Sequence, residues 1–171
     1  MTPVSLAVLP EFKERKIVVG TSVRKAAPIL AAYLESLAWQ ELPPNTKVEY
    51  CFVADFTEEQ ADARNLLNEF VNKRGGVVLR GTPAAVGDFT DAHPQTHQWS
   101  HSAMARVGRN KNKILKHGFD NGADHVWLCD ADLILERTTL ASLVGTDYHI
   151  VSAVYWTHWH KEGAETRKIH A

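Results

Sequence analysis

Cysteine is scarce in this chain, with two among 171 residues. Cys51 and Cys129 form neither a C-x-x-C pair nor a spaced framework, which excludes a disulfide scaffold and a cysteine-based zinc module. Each lies inside an apolar run, where a buried reduced thiol is expected, and with it a cytoplasmic location. An excess of one charge is also missing. Nineteen basic residues face 20 acidic ones, for a formal charge of -1. That leaves no electrostatic footprint for nucleic acid or an anionic membrane. No apolar run approaches the ~20 residues of a transmembrane segment. The N-terminal MTPVSLAVLPEFKERK carries no basic residue before its apolar patch, as a signal peptide would. Repeats and low-complexity segments are absent too. What remains is an ordinary globular composition, 44% hydrophobic and 23% charged, in a length suited to one domain with its own core.

The apolar period alternates between strand-like runs and helical stripes. KIVVGTS (16–22) is nearly continuous, as in a strand covered on both faces. Pro28 opens a helix striped by Leu30, Leu34 and Leu37 and flanked by Tyr33 and Ala38; Pro43-Pro44 closes that segment. KVEYCFVAD (47–55) reads as a second strand. Thr57-Glu58-Glu59-Gln60 has the form of a capping box. It precedes a helix with Leu66, Leu67, Phe70 and Val71 inward, ended by Gly75-Gly76. VVLR (77–80) is a short third strand.

Residues 81–99 show no period, and a loop of that length suggests the border of a ligand site. A helix over about 101–117 follows, then an Asn121-Gly122 turn and the strand HVWLCD. LERTTLASLV is a short helical segment and YHIVSAVYW (148–156) a last strand. Residues 157–171 read as a polar tail. The pattern predicts a single α/β domain over 1–171, with a mostly parallel central sheet flanked by helices. Ligands of such sheets bind outside the carboxyl ends of the strands. Thr21-Ser22, Asp55 and Asp130-x-Asp132 stand at three of those ends.

The last of these, in DHVWLCDADLIL (124–135), sets two carboxylates between apolar runs, which is costly unless something compensates them. In an extended segment, residues i and i+2 point the same way, so Asp130 and Asp132 could share one hard cation. Mg²⁺ or Mn²⁺ prefers such oxygen ligands and completes its shell with water and phosphate. The alternative is structural: aspartate is also favoured as a cap at the start of a turn or helix.

In its order of motifs the chain resembles the nucleotide-binding half of a GT-A fold glycosyltransferase, closest to glycosyltransferase family 2. The resemblance spans about residues 16–156. It rests on KIVVGTSVRK, VEYCFVADFTEEQ, RVGRNKNKILKHGFDNGADHVWLCDADLIL and IVSAVYWT, taken together. It implies a Rossmann-like fold and a metal-dependent transfer of sugar from a nucleotide-diphosphate sugar, of UDP or GDP type, to an acceptor. It places Thr21 and Ser22 in the nucleotide-contacting loop and Asp55 on the nucleoside. Arg109 and Asn110 are favoured for the donor by an Arg-Asn pair that recurs there. Asp130 and Ala131 would lie beside the donor ribose and sugar. Asp132 would be the main ligand of Mn²⁺ or Mg²⁺, with Asp130 beside it.

In some such enzymes a histidine beyond the D-x-D completes the metal shell, which makes His158 and His160 candidates. The catalytic base of inverting members is a later acid; Glu136, Asp147, Glu162 and Glu165 remain, and Glu162 is the weak candidate. The second strand departs from the family by ending in one acid followed by Phe56. The chain also lacks an obvious acceptor-binding part, so residues 157–171 could be the start of a truncated one.

Two other sets have structural alternatives. Arg106, Arg109, Asn110 and Lys113 would suit a diphosphate, or form a solvated helix face. His93, His97 and His101 share helical spacing, but Pro94 interrupts it and disfavours zinc. Trp156 and Trp159 would either stack on a sugar or pack in the sheet. Three rival functions were open. A sugar nucleotidyltransferase needs a glycine-rich, basic loop after its first strand, and only Gly20-Thr21-Ser22-Val23-Arg24 stands there. An aspartate phosphatase carries its D-x-D on the first strand. A non-catalytic nucleotide-sugar-binding module remains the main alternative.

Overall fold

The computed structural model describes residues 14–56, 58–82, 101–146, 148–154, 156–159 and 167–170, the last two segments by backbone alone. The elements run β1 (Arg15–Val23), α1 (Ala27–Ala38), β2 (Thr46–Ala54), a 3₁₀ turn (Glu58–Gln60), α2 (Ala61–Arg74) and β3 (Gly76–Arg80). Then come α3 (His101–Asp120), β4 (His125–Asp130), α4 (Thr139–Gly145), β5 (Trp156–Trp159) and β6 (Arg167–His170).

β1 to β4 form one all-parallel sheet in the order β3-β2-β1-β4. The fold is therefore α/β, as the alternating periods predict, and Rossmann-like, as the resemblance implies. The chain steps outward from β1 through β2 to β3, and α3 then returns it to the other side of β1. Strand order thus reverses between β1 and β4, and a ligand crevice opens at the carboxyl ends beside such a reversal.

The pleat divides the core. Ile17, Val19, Val23, Tyr50 and Phe52 pack under α1 and α2, against Leu30, Tyr33, Leu37 and Leu67. Tyr50, Phe52 and Phe70 meet there as rings, with Phe70 edge-on to both of the others. On the opposite face Val18, Cys51 and Val53 meet Ile114 of α3. Both faces being covered explains why β1 and β2 read as continuous apolar runs. Both cysteines are buried and unbridged.

Two glycines set how close α3 lies to the sheet. A Cβ on Gly20 of β1 would stand 2.0 Å from Ile114 Cγ2, and one on Gly118 of α3 would stand 2.4 Å from Val126 Cγ2. Only hydrogen fits at either position, so helix and strand approach more closely there than two side chains would allow.

Several expectations need correction. Residues 148–154 form no strand; they are exposed, Ile150 to 93%. The strand begins at Trp156 and pairs antiparallel with β6 in a separate two-stranded sheet, so the stretch 157–171 is not merely an irregular tail. An apolar, β-branched run becomes a strand only where a neighbouring backbone receives it, and the local pattern does not show whether one does. The capping box rests on Thr57 and so is not tested by the described residues. α2 starts at Ala61 after the 3₁₀ turn, and Gln60 at its N-cap makes no side-chain cap bond; Thr57 lies outside the described residues. α4 starts at Thr139 rather than Leu135, and the Leu135 amide donates to Ser36 Oγ of α1 (3.2 Å). α3 runs on to Asp120. Residues 83–100, which include His93 and His97, lie outside the described residues.

Candidate functional site

The strand ends converge as the topology requires. Ser22 of β1 stands directly opposite Asp130, the last residue of β4, and Asp55 follows β2 next to Val23. The Asp55 amide donates to the Val23 carbonyl (3.4 Å).

β1 alternates its two candidate hydroxyls between the faces. Thr21 is fully buried beneath α1, and its hydroxyl is hydrogen-bonded to the Tyr33 phenol. Its side chain therefore belongs to the core. Ser22 faces α3, where Asn110 Nδ2 donates to its Oγ (3.1 Å). Asn110 is 1% exposed, and its Oδ1 accepts from the Thr82 amide just after β3 (3.0 Å). One side chain thereby ties together the ends of β1 and β3.

α3 supplies this group through a buried stripe of Ala103, Arg106, Asn110, Ile114 and Gly118. Arg109 lies off the stripe and is exposed. Arg106, one turn before Asn110, is 2% exposed. It is the buried guanidinium on this helix, although the Arg-Asn adjacency had favoured Arg109. Lys113 donates to the Arg80 carbonyl (2.8 Å).

The acidic pair is resolved differently from the extended-strand expectation. Asp130 ends β4, and Ala131 and Asp132 form a turn in which Ala131 is buried and both aspartates are exposed. Their carboxylates meet separate lysines. Lys111 Nζ of α3 lies 3.0 Å from Asp130 Oδ1, and Lys25 Nζ, between β1 and α1, lies 2.6 Å from Asp132 Oδ2. Solvent and ammonium groups are what compensate the two charges here. Sequence pattern missed both lysines, because Lys25 and Asp132 stand 107 residues apart.

A groove of about 370 Å³ opens beside Asp55, lined also by Phe56, Arg80, and Arg64 and Asn68 of α2. An aromatic ring, a carboxylate, an amide and two guanidinium groups can stack on and hydrogen-bond a planar, polar ligand.

Among the described residues no group of three or more His, Cys, Asp or Glu side chains is placed to hold a metal. The donor set of Asp130 and Asp132, two exposed carboxylates, still fits Mg²⁺ or Mn²⁺, which keep waters and substrate oxygens in their shells. His158 falls within β5 with its side chain outside the described residues; His160 and Glu162 lie outside them altogether. No helix among the described residues is long and apolar enough to cross a membrane.

No protein-family model matches the chain, and no curated protein matches it. A solved structure that is similar is the crystal structure of S. aureus TarS, at 19% identity and a TM-score of 0.48. The likeness covers 76% of this chain but 19% of that one, so the chain spans about a fifth of that protein's length. A likeness of that size does not bear on chemistry.

Proposed function

We propose that this domain binds a nucleotide-diphosphate sugar and acts as a metal-dependent glycosyltransferase toward an acceptor. The observation that carries the proposal is the meeting of Ser22, Asn110 and Asp130 at the strand-order reversal of an all-parallel sheet, with Asp55 one strand away. The Asp55 groove would take the nucleoside, with Phe56 as an apolar wall. Asp132 and Asp130 would hold Mn²⁺ or Mg²⁺ by their carboxylate oxygens. That ion, when bound, offsets the charge of the departing diphosphate. Asn110 is a positioning residue, because its two hydrogen bonds fix the ends of β1 and β3 beside the crevice in which the donor would sit.

Calorimetric titration of UDP and GDP, each with and without Mn²⁺, tests the site on the wild type and on Asp132→Ala. The expected result is that one nucleotide binds in a metal-dependent way and that the substitution abolishes it. Binding that ignores both metal and Asp132, or no binding, refutes the proposal. Metal-dependent donor binding with no release of nucleotide from any donor–acceptor pair favours the non-catalytic binding module.

A further inference from the structure

The two lysines invite a count of charge. Asp130 and Asp132 contribute two negative charges, and Lys111 and Lys25 two positive ones, so the acidic pair is already neutralised by its two lysines. A divalent cation entering alone leaves two surplus positive charges. A sugar-linked diphosphate entering alone, with one negative charge on each phosphate, leaves two surplus negative ones. Entering together they restore neutrality. This count rests on the nucleotide-diphosphate reading above.

We propose that Lys25 and Lys111 are exchangeable counter-ions that pass from the acidic pair to the diphosphate when the metal takes the carboxylates. Both pairs have the properties such an exchange needs. They are partly exposed, with side-chain accessibilities of 26% and 44% for Lys25–Asp132 and of 33% and 60% for Lys111–Asp130. Exposed ion pairs are weak enough to break readily. A lysine ammonium is a point charge on a flexible four-carbon stem, able to move to a new partner without its backbone moving. The two approach from different elements, Lys25 from the β1–α1 connection and Lys111 from α3. They would therefore reach the diphosphate from two sides of the β1–β4 crevice. The consequence is mutual dependence: metal and nucleotide each bind more tightly in the presence of the other, by the same factor.

The test is a Mn²⁺ titration, read by electron paramagnetic resonance of the free ion, without nucleotide. It is run on the wild type, Lys25→Met, Lys111→Met and the double variant, each with and without Asp132→Asn. UDP and GDP are then titrated at saturating Mn²⁺. Each lysine substitution is expected to tighten Mn²⁺ alone by up to ~fivefold and to weaken nucleotide by a similar factor, with Asp132→Asn reversing the gain for Mn²⁺. If Asp132→Asn abolishes Mn²⁺ binding while the lysine variants match the wild type, the metal site stands and the exchange is overturned. If Mn²⁺ tightens but nucleotide affinity is unchanged, the transfer to diphosphate is overturned. If no variant binds Mn²⁺, the metal-site reading itself falls, and the exchange with it.

Discussion

Replacing Gly20 by alanine should show how tightly α3 is seated. The new Cβ would stand 2.0 Å from Ile114 Cγ2 and 3.2 Å from Ile114 Cβ. Ordinary carbon–carbon contacts are ~3.5–4.0 Å, so the helix or the isoleucine must yield by about 1.5–2 Å at the closest pair. Overpacking of this kind costs ~1–3 kcal/mol, partly offset by the ~0.5–1 kcal/mol that alanine gains over glycine within a strand. A net loss of up to about 2.5 kcal/mol is expected from those two terms, or a fall in Tm of up to roughly 10 °C for a chain of this size.

The sign should reverse in a second background. Ile114→Ala removes the colliding Cγ2 and Cδ1 and alone costs ~2–5 kcal/mol through the cavity it leaves. Adding Gly20→Ala to it fills part of that cavity and should be neutral or stabilising. Urea unfolding of the four proteins, followed by circular dichroism, gives the coupling energy, expected at ~1–3 kcal/mol. Equal costs of Gly20→Ala in both backgrounds would refute the close approach of α3 to β1. Because Asn110 lies one turn from Ile114, Gly20→Ala should also weaken UDP or GDP binding without touching the site directly.

Three further outcomes follow from buried or paired groups. Tyr33→Phe strands the Thr21 hydroxyl in the core and should cost ~1–3 kcal/mol, while adding Thr21→Val to it should cost much less and leave nucleotide affinity unchanged, as titration calorimetry would show. The hydrogen bond from Lys16 (2.8 Å) holds the Glu49 carboxyl below its ordinary 4.5, with His117 (2.7 Å) adding to it against the opposing effect of burial. Ionised Glu49 thus stabilises the fold above that ordinary value and ceases to do so as pH falls through the lower folded one. Urea midpoints measured from pH 6 down to about 3 should fall less steeply in Glu49→Gln than in the wild type. Burial pushes the Cys51 thiol up to about 12 and Cys129 higher still. A thiol reagent at pH 8 should therefore label neither cysteine until denaturant is added, and rapid labelling of the native protein would contradict their burial.

The parallel sheet was legible because β1 and β2 are buried on both faces, and that leaves a continuous apolar run in the sequence. The position of the acidic pair was legible for a related reason: a strand that must be apolar turns acidic only as it leaves the core. What the pair does with its charge was hidden. Whether Asp130 and Asp132 share one partner depends on where β4 ends, and it ends at Asp130, with a turn beyond. Their lysines come from a loop and a helix that only the folded chain brings near. Asn110 and Arg106 share the buried stripe of α3 while Arg109 is exposed, a phase that the Arg-Asn adjacency does not reveal, since helical phase counts in steps of three and four while adjacency in sequence counts in ones. Residues 148–154 show the same limit in another form, having a strand's composition and no strand beside them.

The two faces of the sheet are unequally held. Among the described residues, fifteen buried side chains form the cluster beneath α1 and α2, and four form the one beneath α3. Local opening follows such differences, since an element resting on little buried surface detaches at a lower free energy than the whole domain. α3 closes the side with the smaller of the two clusters, and it carries both Asn110 and Lys111. Lifting it would break the ties from Asn110 to Ser22 and Thr82 and from Lys111 to Asp130, while β1, β2 and α1 could stay folded.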